Sequence, residues 1–434
     1  GIGSHSGSGP LEVSRILPQS GGDAGSVWAI LHGLQFKEGV VVKLIREGER
    51  EIPGVGANTG ADGRTISVRF DLAGRRRGAW DLVVTNPDGL SATLRQAFMI
   101  EAAREPTIQI DSHWGPSSLR AGQRQQYWIS YQNTGNNDAF GVPIWIKVRN
   151  TSAVRIISSL SQPTPLPGEA PIDWSQVPTG LINTDGGQVV PLVLAIVPPG
   201  RTGYLVVEML APSQVGSAIP FEVWATKPIF NSTGASLDSL VECYRSIVKL
   251  ISTQAGVSIP QTCDADILTD WQALLSSALQ QSLQSTTRQS QVLSLNHLLT
   301  GLVFAGSRCA KGTLNISQVN SAVSRSVGVR DDLRTCLGSR LAYTFWIITV
   351  VRSYAQFINI GVEGQGADRF VAPAQLLEYA IGYENSGVGR PNVRELTITD
   401  QLDLETVDVR TFSFGPIVVA NRVVVPAPGQ LNFE

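Results

Sequence analysis

Two stretches of this chain share one pattern, and the repetition limits its fold more than any other feature. Tyr127-Trp-Ile-Ser-Tyr-Gln-Asn-Thr-Gly135 and Tyr379-Ala-Ile-Gly-Tyr-Glu-Asn-Ser-Gly387 both read Y-x-I-x-Y-x-N-[S/T]-G. The register persists, since Leu396 and Ile398 fall, at the same offset, where Ile144 and Ile146 do. Large apolar side chains at every second position fill one face of a strand, whereas a helix face needs spacings of three and four. Asn and Gly supply a turn, so each copy is expected to be a strand, a turn and a second strand returning antiparallel. The chain therefore reads as two copies of one β-unit with other material between them.

The second copy carries most of the acids that invite a chemical reading. Asp400, Asp403 and Glu405 form D-x-x-D-x-E at a strand end, and a hard cation takes several oxygens from such turns. They are the candidate metal ligands, with calcium the candidate ion and no other cofactor expected. The competing reading is a solvated strand face. Val148 stands in the first copy near the position of Asp400, so the β-unit itself does not need the aspartate. "NTGNND" at 133–138 and "NTDGG" at 183–187 are also oxygen-rich, but Asn/Asp/Gly turns form without metal.

Residues 11–103 alternate as strands: "GSVWAILHGLQF", "VVVKLIREG", "TISVRFDLAG", "GAWDLVVTNPDG" and "SATLRQAFMIEAA", with Gly, Asn, Asp and Pro between them. That spacing predicts a β-sandwich. The order "ILPQSGG…GSVWAILHGLQF…FDLAGRRRGAWDLVVTNPDG…AFMI" resembles an immunoglobulin-like IPT/TIG domain, a family with DNA-binding members and many spacer modules of surface proteins. The basic run Arg75–Arg77 fits a solvated turn better than a DNA contact, because the formal net charge is −2 and nucleic-acid binders carry a basic footprint. No nucleic-acid partner is expected.

Residues 104–232 read as a second β-sandwich. Trp128, Trp145, Trp174 and Trp224 could form a carbohydrate-stacking platform, yet large aromatics in sandwich strands usually belong to the core. Trp174 lies in a Pro/Gly-rich loop and is the candidate ligand contact. The β-units also resemble the strand-turn-strand core of bacterial and archaeal surface-protein repeats, over 376–420 and more loosely over 120–210. That resemblance implies secreted, modular architecture and no activity.

The period changes near residue 235. Leu237, Leu240, Val241, Tyr244, Ile247, Val248 and Ile251 follow helical spacing, as do Ile267, Trp271, Leu274, Leu275 and Leu279. Val292, Leu295, Leu298, Leu299 and Leu302 continue it, with a weaker pattern from Asn315 to Phe345. Asp264 or Asp266 is placed to cap the second of these helices. "LAYTFWIITVV" at 341–351 is too short for a bilayer span of about 20 residues and reads as a buried helix end or strand, so no membrane insertion is expected. Cys243, Cys263, Cys309 and Cys336, the chain's four cysteines, all lie in this segment without CxxC spacing. An even count predicts two disulfides and an oxidising compartment. Of the three connectivities, the sequential one, 243–263 with 309–336, is expected.

Catalytic motifs are missing: there is no G-x-S-x-G, H-E-x-x-H, P-loop or dinucleotide fingerprint, and His32, His113 and His297 fall in different modules. No enzyme activity is expected. The fold class expected is multidomain and mainly β, immunoglobulin-like sandwiches with a separate α-helical disulfide-stapled domain. The segments are 1–10 tag or linker, 11–103 IPT/TIG-like, 104–232 second sandwich, 233–355 helical and 356–434 a partial third module. The expected role is a structural or adhesive fragment of a large secreted or cell-surface bacterial protein, at an extracellular or surface location. Its partners would be other domains of that protein and a surface or matrix glycan or protein. Alternatives are a carbohydrate-binding accessory region of a secreted enzyme and a shell or carrier portion of a secreted toxin.

Overall fold

A computed structural model describes residues 10–114, 118–148, 153–156, 160–161, 182–184, 187–200, 202–230, 238–269, 292–326, 342–351, 357–360, 380–383, 398, 414, 417–419 and 422–424. The chain divides into two compact units, Gly1–Arg352 and Ser353–Glu434.

The N-terminal module is an eight-stranded β-structure: β1 (Glu12–Leu17), β2 (Ser20–Gly22), β3 (Ser26–Leu34), β4 (Val41–Ile45), β5 (Ile52–Thr59), β6 (Thr65–Asp71), β7 (Gly78–Thr85) and β8 (Ser91–Glu101). Alternation along the strands sends Val27, Ala29 and Leu31 of β3, Ile66, Val68 and Phe70 of β6, and Trp80, Leu82 and Val84 of β7 into one core. The strand order is β1-β3-β6-β5-β4-β7-β8-β2. β5 begins on β4 and then shifts to β6. The first strand is divided in a similar way: β1 runs antiparallel to β3, and after Pro18 the chain continues as β2, parallel to β8. This division of the first strand between two sheets, with antiparallel neighbours elsewhere, is immunoglobulin-like.

The second module is a sandwich of two sheets. One runs β13 (Ala153–Ile156), β17 (Thr202–Leu210), β11 (Arg124–Asn133), β9 (Ile108–Trp114). The other runs β10 (Ser118–Arg120), β20 (Ala342–Val351), β18 (Ala218–Ala225), β12 (Ala139–Val148), β16 (Gly187–Val197), β19 (Val292–Ser294), β14 (Leu160–Ser161), with β15 (Ile182–Thr184) also on β16. Tyr127, Ile129 and Tyr131 of β11 face Ile144, Ile146, Leu192, Leu194 and Phe221 of the second sheet in a common core. The Tyr131 ring lies over Gly203 of β17, where a β-carbon would come within 2.5 Å of it. Here the structure corrects the hairpin expected of the repeated unit. β11 pairs with β9 and β17, and β12 pairs with β16 and β18, so the Asn-Thr-Gly segment crosses from one sheet to the other.

The helices do not stand apart from this sandwich. α1 (Asp238–Gln254), α2 (Leu295–Cys309) and α3 (Ile316–Ser326) share a core with the outer face of the second sheet. In it, Phe140, Trp145, Val189, Val193 and Trp224 meet Tyr244, Val248, Leu298, Leu302 and Val319. The separate helical domain is therefore found only in part. Its segment also donates β19 and β20 to the sheet, so Val292 and 342–345 are strand, against their helical periodicity. Asp264 stands at the start of the helical turn 264–269 and pairs with Lys249 of α1 at 2.8 Å. The disulfide is Cys263–Cys309, not the sequential pairing, and Cys243 is disulfide-bonded too. It joins a 3-10 turn, Gln261–Cys263, to the last residue of α2.

In the second unit, β21 (Phe357–Ile360) pairs antiparallel with β22 (Ala380–Tyr383), and β23 (Ile417–Val419) with β24 (Arg422–Val424). Ile381, the counterpart of Ile129, is 39% exposed, and Ile398, the counterpart of Ile146, is 50% exposed, whereas both residues of the first copy are fully buried. At these two positions the second copy repeats the pattern without the same burial.

Candidate functional site

Among the described residues, a dense set of long-range polar contacts lies where the first module meets the second, and the 133–138 crossover builds it. Asn133, which is buried, donates to the carbonyls of Asn137 at 2.7 Å and Val197 at 3.0 Å. Its oxygen accepts from the amides of Gly135 and Thr107. The side chain therefore pins the crossover to the linker at one end and to β16 at the other. Asn136 reaches into the 102–104 linker, accepting from the Arg104 amide at 2.6 Å and donating to the Ala102 carbonyl at 2.9 Å. Its own carbonyl accepts from the Gly22 amide at 2.8 Å. The approach is so close that a β-carbon on Gly22 would lie 2.4 Å from Asn136 Oδ1, which only glycine avoids.

Asp138 completes the contact. β1 covers β3 only from Ile30 to Leu34, because the chain leaves that edge at Pro18. At the uncovered end, the Asp138 amide donates to the Ser26 carbonyl at 2.9 Å. Asp138 Oδ1 accepts from the Trp28 amide at 3.0 Å and Oδ2 from the Ser26 hydroxyl at 2.9 Å. One residue of the second module thus satisfies three edge groups of the first, which buried backbone requires. Burial pushes the Asp138 carboxyl up to about 7, against the opposing effects of the Trp28 and Ser26 hydrogen bonds and the Arg69 charge. On the exposed rim, the Arg77 hydrogen bond holds the Asp23 carboxyl below its ordinary range, and Asp23 also accepts from the Ala103 amide.

The residues singled out from the sequence fall elsewhere. Asp400, Asp403, Glu405, Trp174 and Cys336 lie outside the described residues. Trp145 and Trp224 stack at 6.1 Å with their planes 8° apart, buried between sheet and helices, and so present no face to a sugar. Trp128 packs edge-on to Tyr204. Arg76 pairs with Glu49 and Arg77 with Asp23, which fits the solvated-turn reading of 75–77. His297 is buried in α2. Among the described residues, no group of three or more His, Cys, Asp or Glu is placed to hold a metal ion, and no helix is long and apolar enough to cross a membrane.

Sequence reasoning passed over the joint, although one signal pointed to it. The repeated unit shares Asn-[Ser/Thr]-Gly, but Asn136-Asn137-Asp138 of the first copy are Val388-Gly389-Arg390 in the second. Asn136 and Asp138, which bind the neighbouring module and its linker, are among the residues that differ between the copies.

No family model matches the chain, and no curated protein matches it. Solved structures similar to it include the extracellular region of plexin A4 (12% identity, TM-score 0.19, covering 51% of this chain and 17% of that one). A tandem of titin Ig domains is similar at 10% identity (TM-score 0.15, 49% and 88%). A membrane anchored protein from Corynebacterium diphtheriae is similar at 12% identity (TM-score 0.15, 52% and 58%). TM-scores this low carry no weight, and the immunoglobulin-like class stands on the strand order and pairing described above.

Proposed function

We propose that this chain is a non-catalytic, structural segment of a larger secreted or cell-surface protein, its immunoglobulin-like modules held in fixed relation to space or present a binding surface. The joint at Asn136 and Asp138 supports this reading. A flexible tether between modules has no use for buried, two-way hydrogen bonds, whereas a spacer that must hold an angle does. The Cys263–Cys309 disulfide fits an oxidising, extracellular setting. The IPT/TIG assignment of 11–103 and an adhesive role belong to the same proposal, as do neighbouring domains and a surface glycan or protein as partners.

The test is a distance. Labels placed at Val41→Cys on the first module and Val215→Cys on the second, both exposed, should give one narrow distribution by pulsed electron resonance. A broad distribution would sink the rigid-spacer reading. A glycan array probed with the full chain, with and without calcium, addresses both the carbohydrate-binding alternative and Asp400, Asp403 and Glu405. Binding abolished by Trp174→Ala would replace the spacer reading with the accessory one.

A further inference from the structure

We propose that the joint between the first two modules is a proton-linked lock, in which docking the 133–138 crossover onto the end of β3 holds a proton on Asp138. The lock presupposes the rigid joint proposed above. Complete burial at the interface favours the neutral acid, and the two hydrogen bonds accommodate it. Oδ1 accepts from the Trp28 amide, and Oδ2 sits 2.9 Å from the Ser26 hydroxyl, which can either donate to it or accept its proton. No solvent reaches the side chain. Among the described residues, the charge bearing on it is Arg69 of β6. β3 presents Ser26 and Trp28, neither of which titrates in this range, and the crossover itself adds Asn136 and Asn137. A carboxylate in this position gives up its hydration for two hydrogen bonds and the attraction of Arg69, and burial outweighs them.

The sign follows from linkage. An acid whose docked value lies near 7, above its free value of 3.8, leaves the joint tightest below pH 4. Between those values the undocked form loses its proton first, so docking weakens about tenfold per pH unit and levels off above pH 7, by about three orders of magnitude in all.

Hydrogen exchange of the full chain reads this directly at the Gly22, Trp28 and Asp138 amides, with intrinsic rates corrected for pH. Protection should fall in that window in the native chain and stay flat in Asp138→Asn, which keeps the shape of the side chain without its titration. Protection that is high but independent of pH in the native chain overturns the lock and leaves the rigid joint standing. Amides unprotected at every pH overturn both. Should the variant not fold, the Asp138 carboxyl can be titrated in the native chain by NMR. A midpoint near 7 is expected, and one near 4 defeats the lock.

Discussion

Asn133 makes four hydrogen bonds with a side chain that solvent does not reach, two given and two accepted. The motif Y-x-I-x-Y-x-N-[S/T]-G therefore has two physical halves. The Tyr and Ile positions are packing, legible from spacing alone, and Tyr127, Ile129 and Tyr131 are buried in the first copy as alternation requires. The Asn position is a polar staple whose partners lie at residues 107, 135, 137 and 197, and no local pattern could have named the distant ones. Asn133→Ala leaves the Thr107 and Gly135 amides and two carbonyls without that partner. It should destabilise the chain by about 3 kcal/mol in urea unfolding, since each buried group left unsatisfied costs about 1–3 kcal/mol. A change under about 1 kcal/mol would mean that water replaces the side chain.

β12 and β16 show why the helices read as a separate domain. "VPIWIKV" and "QVVPLVLAIV" are nearly continuous apolar runs, as expected of strands covered on both faces, and residues 142–146 and 189–195 are all buried. Val142, Ile144, Ile146 and Val148 of β12 enter the sandwich core, while Phe140 and Trp145 face the helical layer. Trp145→Ala should cost about 3–5 kcal/mol, as for other large truncations, and should lower the melting of the helical signal. An independent helical domain would melt unchanged. Replacing Cys263 and Cys309 together by Ser frees a closure over 46 positions. Chain entropy puts that at about 4 kcal/mol, read as a lower unfolding midpoint of the full chain under non-reducing conditions. An unchanged midpoint would show that packing on the sheet already holds the layer.

At the scale of the whole molecule, the function proposed above asks the joint for rigidity between modules. Gly22→Ala introduces a β-carbon 2.4 Å from Asn136 Oδ1 and 2.8 Å from the Ala103 backbone, so the crossover must shift while the core of the first module stays intact. The label distribution between positions 41 and 215 should broaden with little change in the melting of either module, and a narrow distribution would show that the loop adapts. The sequence alone determined the local periods: strands over 11–102, the apolar face of the repeated unit in its first copy, and helical spacing beginning near 237, 292 and 315, where the structure has helices at 238–254, 295–309 and 316–326. These depend on neighbours a few residues apart, where side-chain spacing and turn chemistry act directly. Only the tertiary structure decided that β11 and β12 lie in opposite sheets, that the helices roof a sheet, that Cys263 finds Cys309, and that Asp138 closes the edge of β3. Each of these depends on which distant segment covers a face or an edge. That choice is made by burying apolar area and satisfying backbone groups over the whole unit, and no window of sequence contains it.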